Sequence, residues 1–314
     1  MADSDLGSCG AAAIREALHR RGVRPLPSLR TVNRILARRG ALDGRRRTRR
    51  PPPPAGWYLP AVAARQAELD SFDIVEGLAL QGGLRVEVLN GVSLHGGLVA
   101  AWPGAAPVTA AGVVAALQQH WRAVGLPGYA QFDNDPVFQG THRVPDALGR
   151  VSRLCLALGV IPVFVPPRET GFQAAIESFN AWWQLRVWAR CRPATLAAVA
   201  DRSDRYVRAV RQQRAVRIEA APPRRPFPDG WEFDVQAAPR GRVLFLRRTD
   251  EQGRVEVLGR RWWIGPTWPH RLVRAEVDLG ARRVRFYALR RRDPGAQPLL
   301  REEPYQLPDR RFRG

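Results

Sequence analysis

The stretch LDSFDIVEGLALQGGLRVEVLNGVSLHGGLVAAW, residues 69–102, decides the fold class of this chain. Apolar and β-branched residues dominate three runs within it, at 70–80, 84–94 and 97–102, and glycine-containing turns separate these runs. Runs of this length and composition, bounded by such turns, predict three successive β-strands. The chain is therefore expected to build a sheet that begins with three strands consecutive in sequence.

Helix and strand patterns alternate after these strands. Apolar periodicity predicts helices at 108–124, 144–158 and 172–190, with short strands at 129–133 and 161–165 between them. Three strands followed by helix, strand, helix, strand and helix indicate an α/β fold with a mixed sheet flanked by helices. We assign residues 61–200 to this core.

Two short helices are predicted ahead of the core, in residues 1–44. An Ala- and Leu-rich helix at 10–20 is followed by a break with glycine and prolines, and Ser28 is a good N-cap for the second helix. That helix presents an apolar face opposite a basic face, which is typical of a helix-turn-helix-like DNA-binding segment; a solvated basic helix is the alternative. Residues 45–60, rich in Arg and Pro, are predicted to be a semi-rigid linker. The arginines predicted to bind DNA are Arg30, Arg34, Arg38, Arg39, Arg45, Arg46, Arg47, Arg49 and Arg50.

A different pattern follows the core. Residues 201–238 read as a connector that is first helical and then rich in Pro and Arg. Residues 239–314 contain five short runs of alternating apolar and polar residues, which predict a small, Arg-rich β-barrel. The Pro- and Arg-rich stretch marks an expected domain boundary, so a core without residues 239–314 is expected to fold.

The charge of the chain indicates a polyanionic partner. Of 314 residues, 50 are basic and 29 acidic, giving a net charge of +21, and nucleic acid is a more frequent partner of such proteins than a membrane. The three cysteines are widely spaced, which excludes a disulfide scaffold, and no His/Cys cluster has the spacing of a zinc site. The N-terminus shows no signal-peptide pattern, so a soluble cytoplasmic protein is expected.

Carboxylates stand out within elements that are predicted to be buried. Asp133 ends a predicted strand, Glu177 lies near the start of the long helix, and Asp70 lies in the first strand. Buried carboxylates are costly unless a cation compensates them, and divalent metal ions favour such oxygen ligands. Asp73 is the alternative to Asp70, because side chains alternate along a strand and the two cannot both serve.

Two segments resemble the catalytic core of retroviral-type integrases. Residues 132–138, which begin Phe-Asp-Asn, resemble the family's Asp-Asn-Gly segment, and residues 176–180, Ile-Glu-Ser-Phe-Asn, resemble its glutamate-bearing helix. With its N-terminal helices, core and C-terminal module in this order, the chain resembles bacterial insertion-sequence DDE transposases over nearly its full length. Three departures are Asp135 in place of the usual glycine, Ala67 in place of a tryptophan, and an apparent insertion at 140–153.

The resemblance implies a ribonuclease-H-like core and a DDE-type polynucleotidyl transferase that cleaves DNA strands and transfers them in DNA integration. It implies two Mg²⁺ or Mn²⁺ ions held by Asp70, Asp133 and Glu177, with Asp73 as the alternative first ligand. Asp70 is preferred because its separation from Asn90 is close to the family's spacing between the first acid and the end of the second strand.

The resemblance also implies partners and rival functions. The expected partners are mobile-element ends and target DNA, bound by a homo-oligomer associated with the bacterial nucleoid. A catalytically degenerate DNA-binding partner protein and a metal-dependent nuclease of the same fold are the alternatives.

The charge predicts how DNA binding should respond to salt. If arginines neutralise phosphates, the logarithm of the affinity for duplex DNA should fall with the logarithm of the salt concentration by about 0.9 for each phosphate contacted. Fluorescence anisotropy with labelled duplex across a salt series measures this slope. An affinity that does not change from low to high salt would contradict a nucleic-acid partner.

Overall fold

The computed structural model describes residues 11–40, 53–140, 145–191 and 193–308, together with residue 312. The chain divides into two compact units, Met1–Pro52 and Pro53–Gly314. Five of the arginines predicted to bind DNA lie outside the described residues, and these are Arg45, Arg46, Arg47, Arg49 and Arg50.

The described part of the first unit, residues 11–40, contains two helices, α1 (Ala11–Arg20) and α2 (Leu29–Arg38). Ser28 caps α2 as predicted, because its hydroxyl oxygen accepts a hydrogen bond from the Thr31 backbone N–H at 3.1 Å. Of the apolar residues on α2, Val32 is buried, whereas Leu29 and Ile35 are about half exposed. The predicted pair of helices is therefore present, and their contact with DNA stays a prediction.

The core of the second unit begins with the three predicted strands, β1 (Leu69–Ala79), β2 (Arg85–Ser93) and β3 (Val99–Ala105), which pair antiparallel. β4 (Tyr129–Phe132) pairs parallel with β1, and β5 (Ile161–Phe164) pairs parallel with β4. The order β3-β2-β1-β4-β5 is the mixed sheet predicted from the sequence.

Helices pack on both faces of this sheet. Their bounds are α3 (Pro60–Ala63), α4 (Ala110–Val124), α5 (Pro136–Gln139), α6 (Arg150–Ala157), α7 (Ala174–Trp183), α8 (Leu196–Gln213) and α9 (Ala215–Glu219). On one face Phe72 and Phe132 belong to the cluster that buries α4 and α6, and on the other Val75 and Val88 belong to the cluster that buries α7 and α8. The long helix predicted at 172–190 is α7 followed by a π-helical segment, Gln184–Ala189.

The C-terminal strands correct one prediction. β6 (Arg242–Arg248) pairs parallel with β5, and β9 (Leu272–Asp278), β10 (Arg283–Ala288) and β11 (Leu299–Pro304) continue from it, giving one sheet of nine strands. β7 (Arg254–Val257) and β8 (Arg260–Trp263) form a separate two-stranded sheet. The structure does not confirm the separate small barrel predicted for 239–314, because four of the six described strands in this region extend the core sheet.

The composition of β6 explains why this strand joins the core sheet. Its central residues Val243, Leu244, Phe245 and Leu246 are all buried, so both faces of the strand are covered, as in a strand from the middle of a sheet.

Within the described residues, no helix is long and apolar enough to cross a membrane.

The sheet order reverses the expected result of a truncation. Removing residues 239–314 takes away β6 and leaves the edge of β5 and its apolar neighbours open to water, so the shortened protein should be insoluble. Removing residues 1–52, at the boundary between the two units, is the matched control and should leave a soluble protein with one cooperative thermal transition. A soluble, cooperatively melting fragment without 239–314 would show that the core folds without β6.

Candidate active site

The pairing of β1 with β4 selects which acids come together. In the parallel register, Asp70 lies opposite Ala130 and Ser71 lies opposite Gln131. Two residues further along both strands, on the side shared by Ser71 and Gln131, come Asp73 and Asp133. The carboxylates of Asp73 and Asp133 therefore lie on the same face of the sheet, where β4 ends.

Two buried asparagines hold the Asp73 carboxylate. The Asn180 side-chain Nδ2 donates to Asp73 Oδ2 at 2.7 Å, and Asn90 Nδ2 donates to Asn180 Oδ1 at 2.8 Å. Asn90 is also the cross-strand partner of Asp73 in β2. The chain of amides runs from β2 through α7 to β1, so it fixes one orientation of the carboxylate relative to both elements. Sequence reasoning did not assign Asn90 or Asn180 this role.

Asp133 lies directly after β4 and is held by its own turn. Its Oδ1 accepts from the Asp135 backbone N–H at 3.0 Å. The Asp135 carboxylate in turn accepts from the Val137 backbone N–H at 2.7 Å and caps α5. Asp135 thus serves as a helix cap that shapes the turn bearing Asp133. It is the residue that stands where the family resembled by the sequence usually has glycine.

Glu177 reaches the same face from α7. It lies in the first turn of that helix, where the helix dipole favours a negative charge, and its side chain is exposed. Asn180, three residues later and so on the same side of the helix, contacts Asp73. Burial of Ile176, Phe179 and Trp183 against the sheet fixes the rotation of α7 that turns these two side chains toward β1.

Burial and neighbouring carboxylates raise the pKa of Asp73 and of Asp133. Burial, and then the negative charge of Asp133 with a further contribution from Glu177, raises the pKa of Asp73 from 3.8 to about 6. The pKa of Asp133 is also raised, mainly by burial and in addition by the charges of Asp135 and Glu76, against the lowering effect of the Asp135 N–H. We call Asp73, Asp133 and Glu177 the acidic cluster. As the side chains stand, the described residues contain no group of three or more His, Cys, Asp or Glu close enough to hold a metal ion.

Asp70, the preferred first ligand in the sequence analysis, lies on the other face of β1. Its Oδ1 accepts from Arg224 Nη2 at 2.5 Å, and its Oδ2 accepts from Arg224 Nη1 at 3.0 Å and from Trp121 Nε1 at 3.2 Å. The side chain of Asp70 is 2% exposed and that of Arg224 is 14% exposed. The structure therefore gives Asp70 an arginine partner and does not bring it to Asp133 and Glu177.

The separation of Asp70 from Asp73 onto opposite faces has a simple geometric cause. An odd separation of three residues turns the two side chains to opposite faces of the strand, and the observed register pairs Asn90 with Asp73 and not with Asp70. This geometry favours Asp73, the alternative first ligand, and the assignment stays a proposal. In the sequence, Asp73 is as far from Asp133 as Ser71 is from Gln131. This equality places Asp73 beside Asp133 only because β1 and β4 pair in the register that sets Ser71 opposite Gln131.

Comparisons with known proteins add little to this geometry. No protein-family model matches the chain, and no curated protein matches it. Among solved structures, the chain is similar to the BIV integrase catalytic core domain, at 22% identity over 42% of this chain and 78% of that one, with a TM-score of 0.32. It is similar to the HTLV-2 integrase catalytic core domain in complex with magnesium, at 14% identity over 43% of this chain and 81% of that one, with a TM-score of 0.33.

A longer similarity covers almost the whole chain. A chain in the simian T-cell lymphotropic virus intasome in complex with PP2A regulatory subunit B56 gamma is 14% identical over 97% of this chain and 95% of that one, with a TM-score of 0.41. All three TM-scores are low, so the description of the fold depends on the strand order and the packing observed in the chain itself.

The two aspartates should respond oppositely to neutral substitution. Asp70→Asn leaves the Arg224 charge buried without its partner and should lower the free energy of unfolding by about 3 kcal/mol. Asp73→Asn keeps an acceptor for Asn180 but removes a carboxylate whose pKa is raised, so at pH 8 it should raise that free energy by about 2 kcal/mol.

The pH dependence identifies the cause of the second effect. The folded protein holds the Asp73 proton up to a pH of about 6, whereas the unfolded chain loses it near 3.8, so the wild type is penalised above pH 6 and not below 3.8. Denaturant unfolding at pH 8 and pH 4 should therefore show the gain from Asp73→Asn at the higher pH only. An equal gain at both pH values would exclude charge repulsion as its source.

Proposed function

We propose that this chain is a metal-dependent DNA strand transferase of the DDE transposase and integrase type, with Asp73, Asp133 and Glu177 as its catalytic carboxylates. The observation that carries the proposal is the acidic cluster. Its three carboxylates come from β1, the end of β4 and α7, and burial together with the negative charges of Asp133 and Glu177 raises the pKa of Asp73. Acids that repel one another at a sheet edge are an arrangement that a divalent cation stabilises.

The donor set suits Mg²⁺ or Mn²⁺. All three side chains offer carboxylate oxygens, which hard divalent cations prefer over nitrogen or sulfur ligands. Glu177 is exposed and can change its rotamer without disturbing the core, so it is the side chain that would complete the set. When bound, a pair of such ions would activate the attacking oxygen and stabilise the leaving oxygen at phosphorus.

The residues of the chain supply position and charge. Asn180, supported by Asn90, holds the Asp73 carboxylate in one orientation, and the Asp135 N–H does the same for Asp133. A net charge of +21 favours a phosphodiester substrate. We propose mobile-element ends and target DNA as the substrates, and a homo-oligomer as the active form, because two element ends must be joined to one target.

A second candidate function is a DNA-binding partner protein without catalytic activity. One observation favours it: in the part of the chain that the structure describes, the acidic cluster does not form a ready-made trio of metal ligands. A nuclease of the same fold would share the acidic cluster and differ only in failing to join strands.

Strand joining with labelled oligonucleotides in Mn²⁺ or Mg²⁺ separates these functions. Asp73→Asn, Asp133→Asn and Glu177→Gln should each lower cleavage and joining by orders of magnitude, because each removes a charge that neutralises the metal ions. DNA affinity should be retained, since the arginines are unchanged. Asp201→Asn, an exposed acid on α8 paired with Arg205, is the matched control and should behave as the wild type.

A measurement without DNA tests the metal site independently of activity. Mn²⁺ should raise the melting temperature of the wild type and of Asp201→Asn, and it should not raise that of Asp133→Asn. Metal-independent melting of the wild type, together with an absence of cleavage, would leave the inactive DNA-binding protein as the function. Cleavage without joining would identify the nuclease.

A further inference from the structure

A cavity of about 820 Å³ lies at the side of the sheet formed by β6, β9 and β10, apart from the acidic cluster. Arginines dominate its lining. The lining residues are Arg248, Trp268, His270, Arg271, Leu272, Leu289, Arg290, Arg291 and Arg292. We call this the arginine cavity.

The charges of the arginine cavity are poorly compensated. Arg248 forms an ion pair with Glu169, and the Arg291 Nη2 donates to the Thr170 backbone carbonyl at 2.8 Å. Among the residues that the structure describes, Arg271, Arg290 and Arg292 form no ion pair with a carboxylate. Of the five guanidinium groups, only that of Arg248 is ion-paired within the described residues, which favours an anionic ligand, and guanidinium forks match phosphate oxygens in geometry.

The position of Trp268 determines which part of a nucleic acid could bind in the arginine cavity. Arg271 lies over its ring at 4.9 Å and Arg290 at 5.8 Å, and the residue is 8% exposed. The indole is therefore a platform that positions two guanidinium groups, and its faces are not open for a nucleobase. A ligand in this cavity meets guanidinium groups and not the faces of the indole, which favours contact with the phosphodiester backbone.

Glu169 belongs to the loop that leads into α7. The same loop contributes Thr170, which accepts from Arg291, and Phe172, over whose ring Arg291 lies at 5.2 Å. The hydrogen bond from Arg248, together with the nearby positive charge of Arg291, lowers the pKa of Glu169 and keeps it ionised at neutral pH. Glu169 thus places a negative charge on the arginine that a phosphate would otherwise contact.

We propose that the arginine cavity binds the phosphodiester backbone of DNA without sequence preference, and that Glu169 competes with a backbone phosphate for Arg248. The choice of DNA as the polyanion rests on the proposed function; the competition between Glu169 and a phosphate does not. In the absence of DNA the carboxylate pairs with Arg248, and in its presence the phosphate replaces it, so the loop loses this ion pair while its contacts with Arg291 remain.

Binding of labelled duplex DNA in EDTA tests this without any catalytic step. The double variant Arg271→Gln/Arg290→Gln should lower the affinity at low salt. It should also reduce the slope of log affinity against log salt by about 0.9 for each phosphate that the variant no longer neutralises. Glu169→Gln should raise the affinity, because it removes the competing charge. Two duplexes of unrelated sequence should be affected equally.

Charge-matched controls lie on α8. The double variant Arg205→Gln/Arg208→Gln removes two exposed cations, and Asp201→Asn removes one exposed anion. Each should change the affinity less than its counterpart in the arginine cavity, and thermal melting checks that all variants are folded. Unlabelled duplex, poly-glutamate and inorganic phosphate serve as competitors for the labelled duplex. Displacement of the labelled duplex by unlabelled duplex, at concentrations where poly-glutamate and inorganic phosphate do not displace it, supports a DNA backbone site.

The possible results separate this inference from the proposed function. An unchanged salt slope in the double variant, a Glu169→Gln affinity no higher than that of Asp201→Asn, or preferential binding of poly-glutamate would overturn the inference, even if the wild type joins strands. The expected changes in binding, in a wild-type protein that joins no strands, would support the arginine cavity and refute the transferase.

Discussion

The parallel pairing of β1 with β4 is the constraint on which the candidate site depends. A shift of one residue in this register would replace Asp73 by a neighbour that points toward α4, and the acidic cluster would lose its central member. The apolar residues of β1 stabilise the observed register on both faces: Phe72 packs against Trp121 and Phe132, and Val75 belongs to the cluster under α7. Burial of these large side chains therefore positions the carboxylate between them.

Arginine has a structural role in this chain besides the phosphate binding that we propose, and the net charge alone does not distinguish the two. Many guanidinium groups act as internal cross-links: Arg211 donates to the carbonyl of Val99 at 2.7 Å, Arg214 to that of Gly97 at 2.9 Å, and Arg217 to that of His95 at 2.6 Å. These bonds tie α8 and α9 to the end of the sheet. Cations used in this way are less available to a phosphate than the exposed arginines of the arginine cavity, so the surplus of +21 overstates the charge that the proposed DNA binding could use.

The buried pair of Asp70 and Arg224 has a similar structural role. Arg224 follows α9 in the segment that returns to the core, where Leu126 and Arg225 form an isolated β-bridge. A bidentate pair with an indole N–H donor is well satisfied, although the cost of removing both charges from water offsets much of its strength. The main role of the pair is to position the chain: it holds the connector that follows α9 against β1, on the face opposite the acidic cluster.

The sequence by itself predicted the elements of the core and singled out Asp133 and Glu177 as candidate ligands, because apolar periodicity and the ends of helices and strands are local properties of the chain. Asp133 ends a short strand and Glu177 begins a helix, so their positions within those elements could be read directly. Which of Asp70 and Asp73 accompanies them was decided only by the tertiary structure, since strand register is set by packing between distant segments. The same reason applies to β6: its run of apolar residues suits either a small barrel or the middle of a sheet, and only the available edge of β5 determines that it extends the nine-stranded sheet.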